Sequence, residues 1–193
     1  MKNVYLIVEL SRKRIWSKKY VLLVKEAIIK TIQCMISYRS INQKLLNISV
    51  FLTNNNEIQK INHTYRNINK VTNVLSFQNI DWQNSVFNEI YCEQIDFNRN
   101  TKVYDISHND PLIIKLNKLN TKELVLSFGD IIISYEKVFA EAVEQSRCFD
   151  EYLQFITVHG VLHLLGYDHG NEKDAQNMEA FERKIMQKLK NEK

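Results

Sequence analysis

Three of the chain's five histidines fall within eleven residues: His159-Gly160-Val161-Leu162-His163-Leu164-Leu165-Gly166-Tyr167-Asp168-His169. On a helix, His159 and His163 stand at i and i+4, so both imidazoles leave one face about a turn apart. Zinc–nitrogen bonds of about 2.0–2.1 Å would let both rings reach one ion. Gly166 follows three residues later. Glycine tolerates positive φ, so it can end the helix sharply and return the chain to deliver His169 to the ion's third side. Three neutral nitrogens leave a fourth position for water, the arrangement expected of a catalytic zinc, which lowers that water's pKa toward about 7. A lone histidine on a helix is usually structural. Here the pair, the glycine and the third histidine each meet a separate geometric requirement.

The spacing coincides with the metzincin protease pattern H-E-x-x-H-x-x-G-x-x-H at all three histidines and at the glycine. The protease's general base is missing, because the glutamate position is Gly160. A site that binds metal but lacks this carboxylate weighs against peptide hydrolysis. It favours chemistry in which the charges of metal and substrate do more of the work.

Several elements must position these residues. Val4 to Leu10 is rich in β-branched residues and reads as a strand; Tyr20 to Tyr38 reads as an amphipathic helix with Leu23, Ala27, Ile28, Ile32 and Met35 inward. Ile48 to Thr53 alternates as a strand. Asn54-x-x-Glu57 resembles a capping box that opens a helix through about Tyr65, and Val74 to Phe77 is a short strand. Leu124 to Ser134 is strand-like around Phe128-Gly129-Asp130. Tyr135 to Cys148 reads as a helix with Val138, Phe139, Ala142 and Val143 on one side. Asp150 can cap the histidine helix, which runs to about Leu165. Asn171-x-x-Asp174 can open a last helix whose buried stripe is Met178, Phe181, Ile185 and Leu189, with lysines near its end. Residues 79–122 break the pattern: eight of the 44 are Asn, and the chain's only proline, Pro111, is here. This stretch reads as an insertion that is at least partly mobile, with a β-hairpin as the competing reading. The expected fold is therefore α+β (of α/β type). A single domain over residues 1–193 would hold a small mixed sheet of about four strands, about five helices and a zincin-like metal site.

Composition narrows the class. At 193 residues, 45% hydrophobic and 25% charged, the chain can bury a real core and reads as soluble and globular. Cys34, Cys92 and Cys148 are odd in number and form no CxxC, so a disulfide framework is not expected and a reducing compartment is. The short apolar N-terminal stretch carries Glu9 and runs into Arg12-Lys13-Arg14, unlike a secretory signal. No apolar run approaches the ~20 residues that span a bilayer. A cytoplasmic protein without membrane partners is expected. Net charge is +4, but residues 1–50 hold ten Lys/Arg against two Asp/Glu. A basic first quarter suits a polyanion; a solvated helix face around Lys18, Lys19, Lys25 and Lys30 is the alternative.

The histidine segment resembles the signature of the YbeY family, single-strand-specific metallo-endoribonucleases that act in ribosomal RNA maturation and ribosome quality control. Two further blocks are similar to that family: Ile61-Asn62-x-x-Tyr65-Arg66 with Thr72-Asn73-Val74-Leu75-Ser76-Phe77, and Phe128-Gly129-Asp130-Ile131-Ile132-Ile133-Ser134. Met178 and Glu182 also match Met and Glu of the family's last helix. Lys70-Val71-Thr72 stands where the family usually has Lys-Pro-Thr, and 79–122 exceeds the usual link between these strands.

The resemblance implies His159, His163 and His169 as ligands of one Zn²⁺ per chain. It implies Arg66 as a catalytic residue, whose planar guanidinium suits phosphate oxygens. Asp168 would orient an imidazole or help handle a proton, and Ser76 and Asn73 would line the cleft or serve as turn residues. The implied substrate is single-stranded RNA, namely ribosomal RNA at the 3′ end of 16S, with the ribosome or a ribosomal subunit as partner. The alternatives are a metallopeptidase and a non-catalytic zinc-containing RNA- or ribosome-binding protein. A three-histidine site open to solvent is a poor structural site, which weighs against the second of these.

Overall fold

A computed structural model of the chain describes the backbone of residues 5–12, 14–35, 44–79 and 124–191, and side chains over 14–35, 48–79 and 128–191. Among these described residues nine elements follow in chain order: β1 (Tyr5–Arg12), α1 (Lys18–Met35), β2 (Lys44–Thr53), α2 (Asn55–Arg66), β3 (Val74–Gln78), β4 (Leu124–Ser134), α3 (Tyr135–Glu144), α4 (Phe149–Leu164) and α5 (Glu172–Asn191). The expected α+β class with about four strands and about five helices is thus what the described residues form. The insertion expected at 79–122 lies, from residue 80 on, outside them.

The strands form one mixed sheet in the order β1-β2-β4-β3. β1, β2 and β4 run parallel, and β3 pairs antiparallel with β4, Val74 opposite Ile133 and Gln78 opposite Gly129. Alternation along the strands sends residues to two faces. Ile48, Val50, Leu52, Ile131 and Ile133 join Val24, Ile28 and Ile32 of α1 and Leu153, Ile156 and Val161 of α4 in the main core. Leu75 and Ile132 face the other way and pack with Ile58 of α2, flanked by Phe51, Ile61 and Phe77. The sheet therefore separates α2 from α4, and β3 belongs to both sides.

One irregularity adjusts this pattern. Asn47 pairs with Ser127 but Ile48 pairs with Gly129, so Phe128 is an extra residue in β4. The bulge turns Phe128, 3% exposed, into the main core rather than onto the face of Ile132. Gly129 has φ +132°, and a Cβ there would lie 2.0 Å from the Phe77 carbonyl oxygen, so only glycine fits.

α4 is buried nearly all round, from Tyr152 and Leu153 to Leu162 and Leu164. A helix apolar on every side belongs in the interior. Here the sheet covers one side, and α5 adds Met178, Phe181, Ile185, Met186 and Leu189 against Val158 and Leu162. The expected α5 stripe is buried in full.

Local sequence sets several ends as expected. Asn54 Oδ1 accepts the Glu57 N–H at 3.0 Å and caps α2, and Asn171 Oδ1 accepts the Asp174 N–H at 3.0 Å ahead of α5. Other expectations are corrected. Asp150 does not cap α4: the N-cap is Cys148, and Asp150 lies in the first turn, where it pairs with Lys19 and its charge suits the helix dipole. The helix expected to reach Cys148 ends at Glu144, where a turn with Ser146 at φ +54° intervenes. Phe139 and Val143 are exposed, at 48% and 64%; only Val138 and Ala142 of that helix are buried. In α1 Val24 is buried with Ala27, Ile28 and Ile32, whereas Leu23 is only half-buried.

Candidate metal centre

The histidine turn forms as its glycine implies. α4 ends in a Schellman motif: Gly166, at φ +88°, donates its N–H to the His163 carbonyl, and Tyr167 donates to the Leu162 carbonyl, both at 3.0 Å. The reversal brings His169 back beside the helix. One nitrogen from each of His159, His163 and His169 lies within 4.8 Å of the others. Ring centroids are 4.6 Å apart for His159 and His163, 5.1 Å for His163 and His169, and 5.7 Å for His159 and His169.

Glu182 of α5, 7% exposed, places Oε1 2.7 Å from Nδ1 of His159. A carboxylate accepts, so the proton sits on Nδ1 and Nε2 presents a lone pair. That Nε2 faces Nε2 of His163 at 3.1 Å. Two imidazole nitrogens this close attract only with a proton or a cation between them. Ligand nitrogens 2.0–2.1 Å from a tetrahedral ion are about 3.3–3.4 Å apart. The donor set thus fits a borderline-soft cation, with His169, 57% exposed at its side chain, the loosest member.

Burial, aided by the neighbouring His159 and His169, pushes the pKa of His163 down from 6.5 to about 4, against the opposing pull of Asp168 and of a hydrogen bond to the Tyr167 backbone. His163 is therefore neutral at pH 7, the form that binds metal. Asp168 Oδ1 accepts the His169 backbone N–H at 2.8 Å and lies 3.9 Å from Nδ1 of His163 and 3.7 Å from Nδ1 of His169. It shapes the return turn from an exposed position.

Gly160 is a packing residue. A Cβ on it would meet Ser76 Oγ at 3.2 Å and the Cγ2 atoms of Ile131 and Val74 at 3.3 Å. The position that carries a glutamate in metzincins points at the sheet, with no space for a carboxylate over the histidines.

β3 is tied to the histidine helix by side chains on that same face. Ser76 Oγ donates to the Gly160 carbonyl at 3.0 Å, and Gln78 Nε2 donates to the His163 carbonyl. Arg66, at the end of α2, donates from an Nη atom to the Ser76 carbonyl at 3.0 Å, and its guanidinium lies over the Phe77 ring at 5.6 Å. Arg66 and the histidine helix are thus each one hydrogen bond from Ser76. Asn73 is a turn residue: its amide donates to Glu141 at 2.8 Å and its Oδ1 accepts the Val74 N–H at 2.6 Å. Sequence reasoning assigned no role to Glu182 as the partner of His159, or to Gln78; only the match of Glu182 to the family's last helix marked it.

Fold and site define an α+β protein with a histidine triad able to hold one metal ion. The family profile described as Endoribonuclease YbeY matches residues 12–190, and the chain belongs to that family. Relatives named Endoribonuclease YbeY include one from Clostridium beijerinckii, 33% identical over 85% of this chain and 86% of its own length. Another, from Caldicellulosiruptor bescii, is 30% identical over 86% and 85%. The solution structure of TM1509 from Thermotoga maritima is similar in fold, with a TM-score of 0.53 at 18% identity over 96% of this chain and 91% of that one. No described helix is long and apolar enough to cross a membrane.

Proposed function

We propose that this chain is a metal-dependent endoribonuclease that cuts single-stranded RNA, with ribosomal RNA at the 3′ end of 16S as substrate in maturation and ribosome quality control. The single observation that carries the reading is the facing pair of Nε2 atoms at 3.1 Å with a third imidazole beside them, in a chain of the YbeY family. Residues 1–193 act as one domain carrying an insertion at 79–122, and the ribosome or a subunit is the partner. Such work belongs to the cytoplasm.

His159, His163 and His169 hold one Zn²⁺, and Glu182 fixes the ring of His159 from behind. When bound, the ion supplies Lewis acidity toward water and the scissile phosphate. Arg66 offers planar N–H donors to phosphate oxygens and offsets the charge that builds up on phosphorus. Asp168 holds the turn that carries His169. The Gly160 geometry disfavours the peptidase alternative. Among the described residues only three ligand groups converge, and a set of three would suit a catalytic ion better than a purely structural zinc.

The test is metal analysis of the purified protein together with a ribonuclease assay on matched single- and double-stranded RNA, with and without chelator. The reading expects about one zinc per chain and chelator-sensitive scission of the single strand. Cleavage that ignores chelation, or none at all with zinc restored, overturns it.

A further inference from the structure

The outer edge of β3 lies between two faces. Asn79 donates to the Phe128 carbonyl and Ser134 to the Asn73 carbonyl, so the odd-numbered residues of β3 point their backbone groups at β4. The carbonyl of Ser76 points outward, and there it accepts Arg66. On the face opposite the histidine helix, Tyr65 stands beside Phe77 with ring centroids 5.5 Å apart and planes at 61°. Phe77 is half-buried against Leu75 and Ile58, and Arg66 lies over its ring. Tyr65 itself is 71% exposed, the most exposed large apolar side chain among the described residues.

An aromatic ring held edge-on by a half-buried neighbour, next to a guanidinium on a strand edge, has the makings of a stacking platform for an unpaired base. A paired base cannot offer its face to a side chain, so such a platform selects single strands. We infer that Tyr65 stacks on one nucleobase of the RNA, whose backbone then crosses the β3 edge at Arg66 to reach the histidine triad on the other face. This rests on the reading of the protein as a nuclease for single-stranded RNA. It adds a substrate-binding residue on the face of the sheet away from the metal.

The experiment measures binding and scission separately in the zinc-loaded full chain, with a single-stranded RNA oligonucleotide and versions carrying one abasic position each. Tyr65→Ala is expected to weaken binding about tenfold, within the range of base–aromatic stacking, and Tyr65→Trp to retain it. In the wild type one abasic position is expected to weaken binding similarly. In Tyr65→Ala the same position is expected to cost nothing further, while thermal unfolding stays unchanged. If the wild type cleaves but its affinity is indifferent to Tyr65→Ala, or if every abasic penalty is equal in both proteins, the stacking role is overturned and the nuclease reading stands. If the wild type binds without cleaving, the nuclease reading fails and the Tyr65 comparison still decides the stacking. If it does not bind single-stranded RNA, both fail.

Discussion

Glu182 Oε1 lies 2.7 Å from Nδ1 of His159, bridging α5 and α4. The contact leaves Nε2 of His159 as the lone-pair nitrogen and fixes the ring's rotation. Partners of this kind are worth about 10–100-fold in metal affinity. Glu182→Ala is expected to lose zinc affinity in that range. Glu182→Gln, which keeps an oxygen acceptor, is expected to lose less. Competition against a chromophoric chelator reads both.

Gly160 sits so close to β3 that a Cβ would have to push Ser76 Oγ, Ile131 and Val74 back by a few tenths of an ångström. Gly→Ala in a helix interior gains up to about 1 kcal/mol in propensity, whereas overpacking costs about 1–3 kcal/mol. Ser76 Oγ cannot swing away without giving up the Gly160 carbonyl, so the clash outweighs the gain. Gly160→Ala is expected to lower the melting temperature by a few degrees. Gly160→Glu is expected to lower it further without conferring cleavage of casein.

The depressed pKa of His163 makes the metal-free protein acid-sensitive. An unfolded histidine takes a proton near pH 6.5, but this one resists until about 4. Between those values the unfolded state binds more protons, so stability falls as pH falls through that window and levels off below it. From pH 7 to pH 5 this one group contributes a loss on the order of 1–2 kcal/mol. Urea unfolding of chelated wild type is expected to show a larger drop over that interval than His163→Asn.

Arg66 is held by the Ser76 carbonyl, on the strand that the Ser76 hydroxyl fastens to the histidine helix. Arg66→Ala is expected to slow single-turnover RNA cleavage by about 10²–10³-fold while zinc content is unchanged. Arg66→Lys is expected to recover little, since an ammonium lacks the planar fork.

Local chemistry made much of this legible in the sequence. Asn54, Asn171 and Gly166 act within one helical turn of themselves, so their roles show in their spacing. The stripe of α5 is periodic and buried as its pattern implies. What stayed hidden depends on distant partners. Glu182 meets His159 across 23 residues, and Gly160 is glycine because β3, 84 residues earlier at Ser76, presses against it. Phe139 and Val143 fit an inward helical face, yet α3 turns only Val138 and Ala142 to the core. Phe128 joins the main core only because a bulge shifts the register.

X-ray absorption at the zinc edge of the metal-loaded protein tests the central claim most directly. The account predicts one ion per chain bound by three imidazole nitrogens at about 2.0–2.1 Å and one light non-protein oxygen, with one imidazole lost in His169→Ala. A sulfur ligand, a fourth protein ligand closing the site, or a spectrum unchanged by His169→Ala would contradict it.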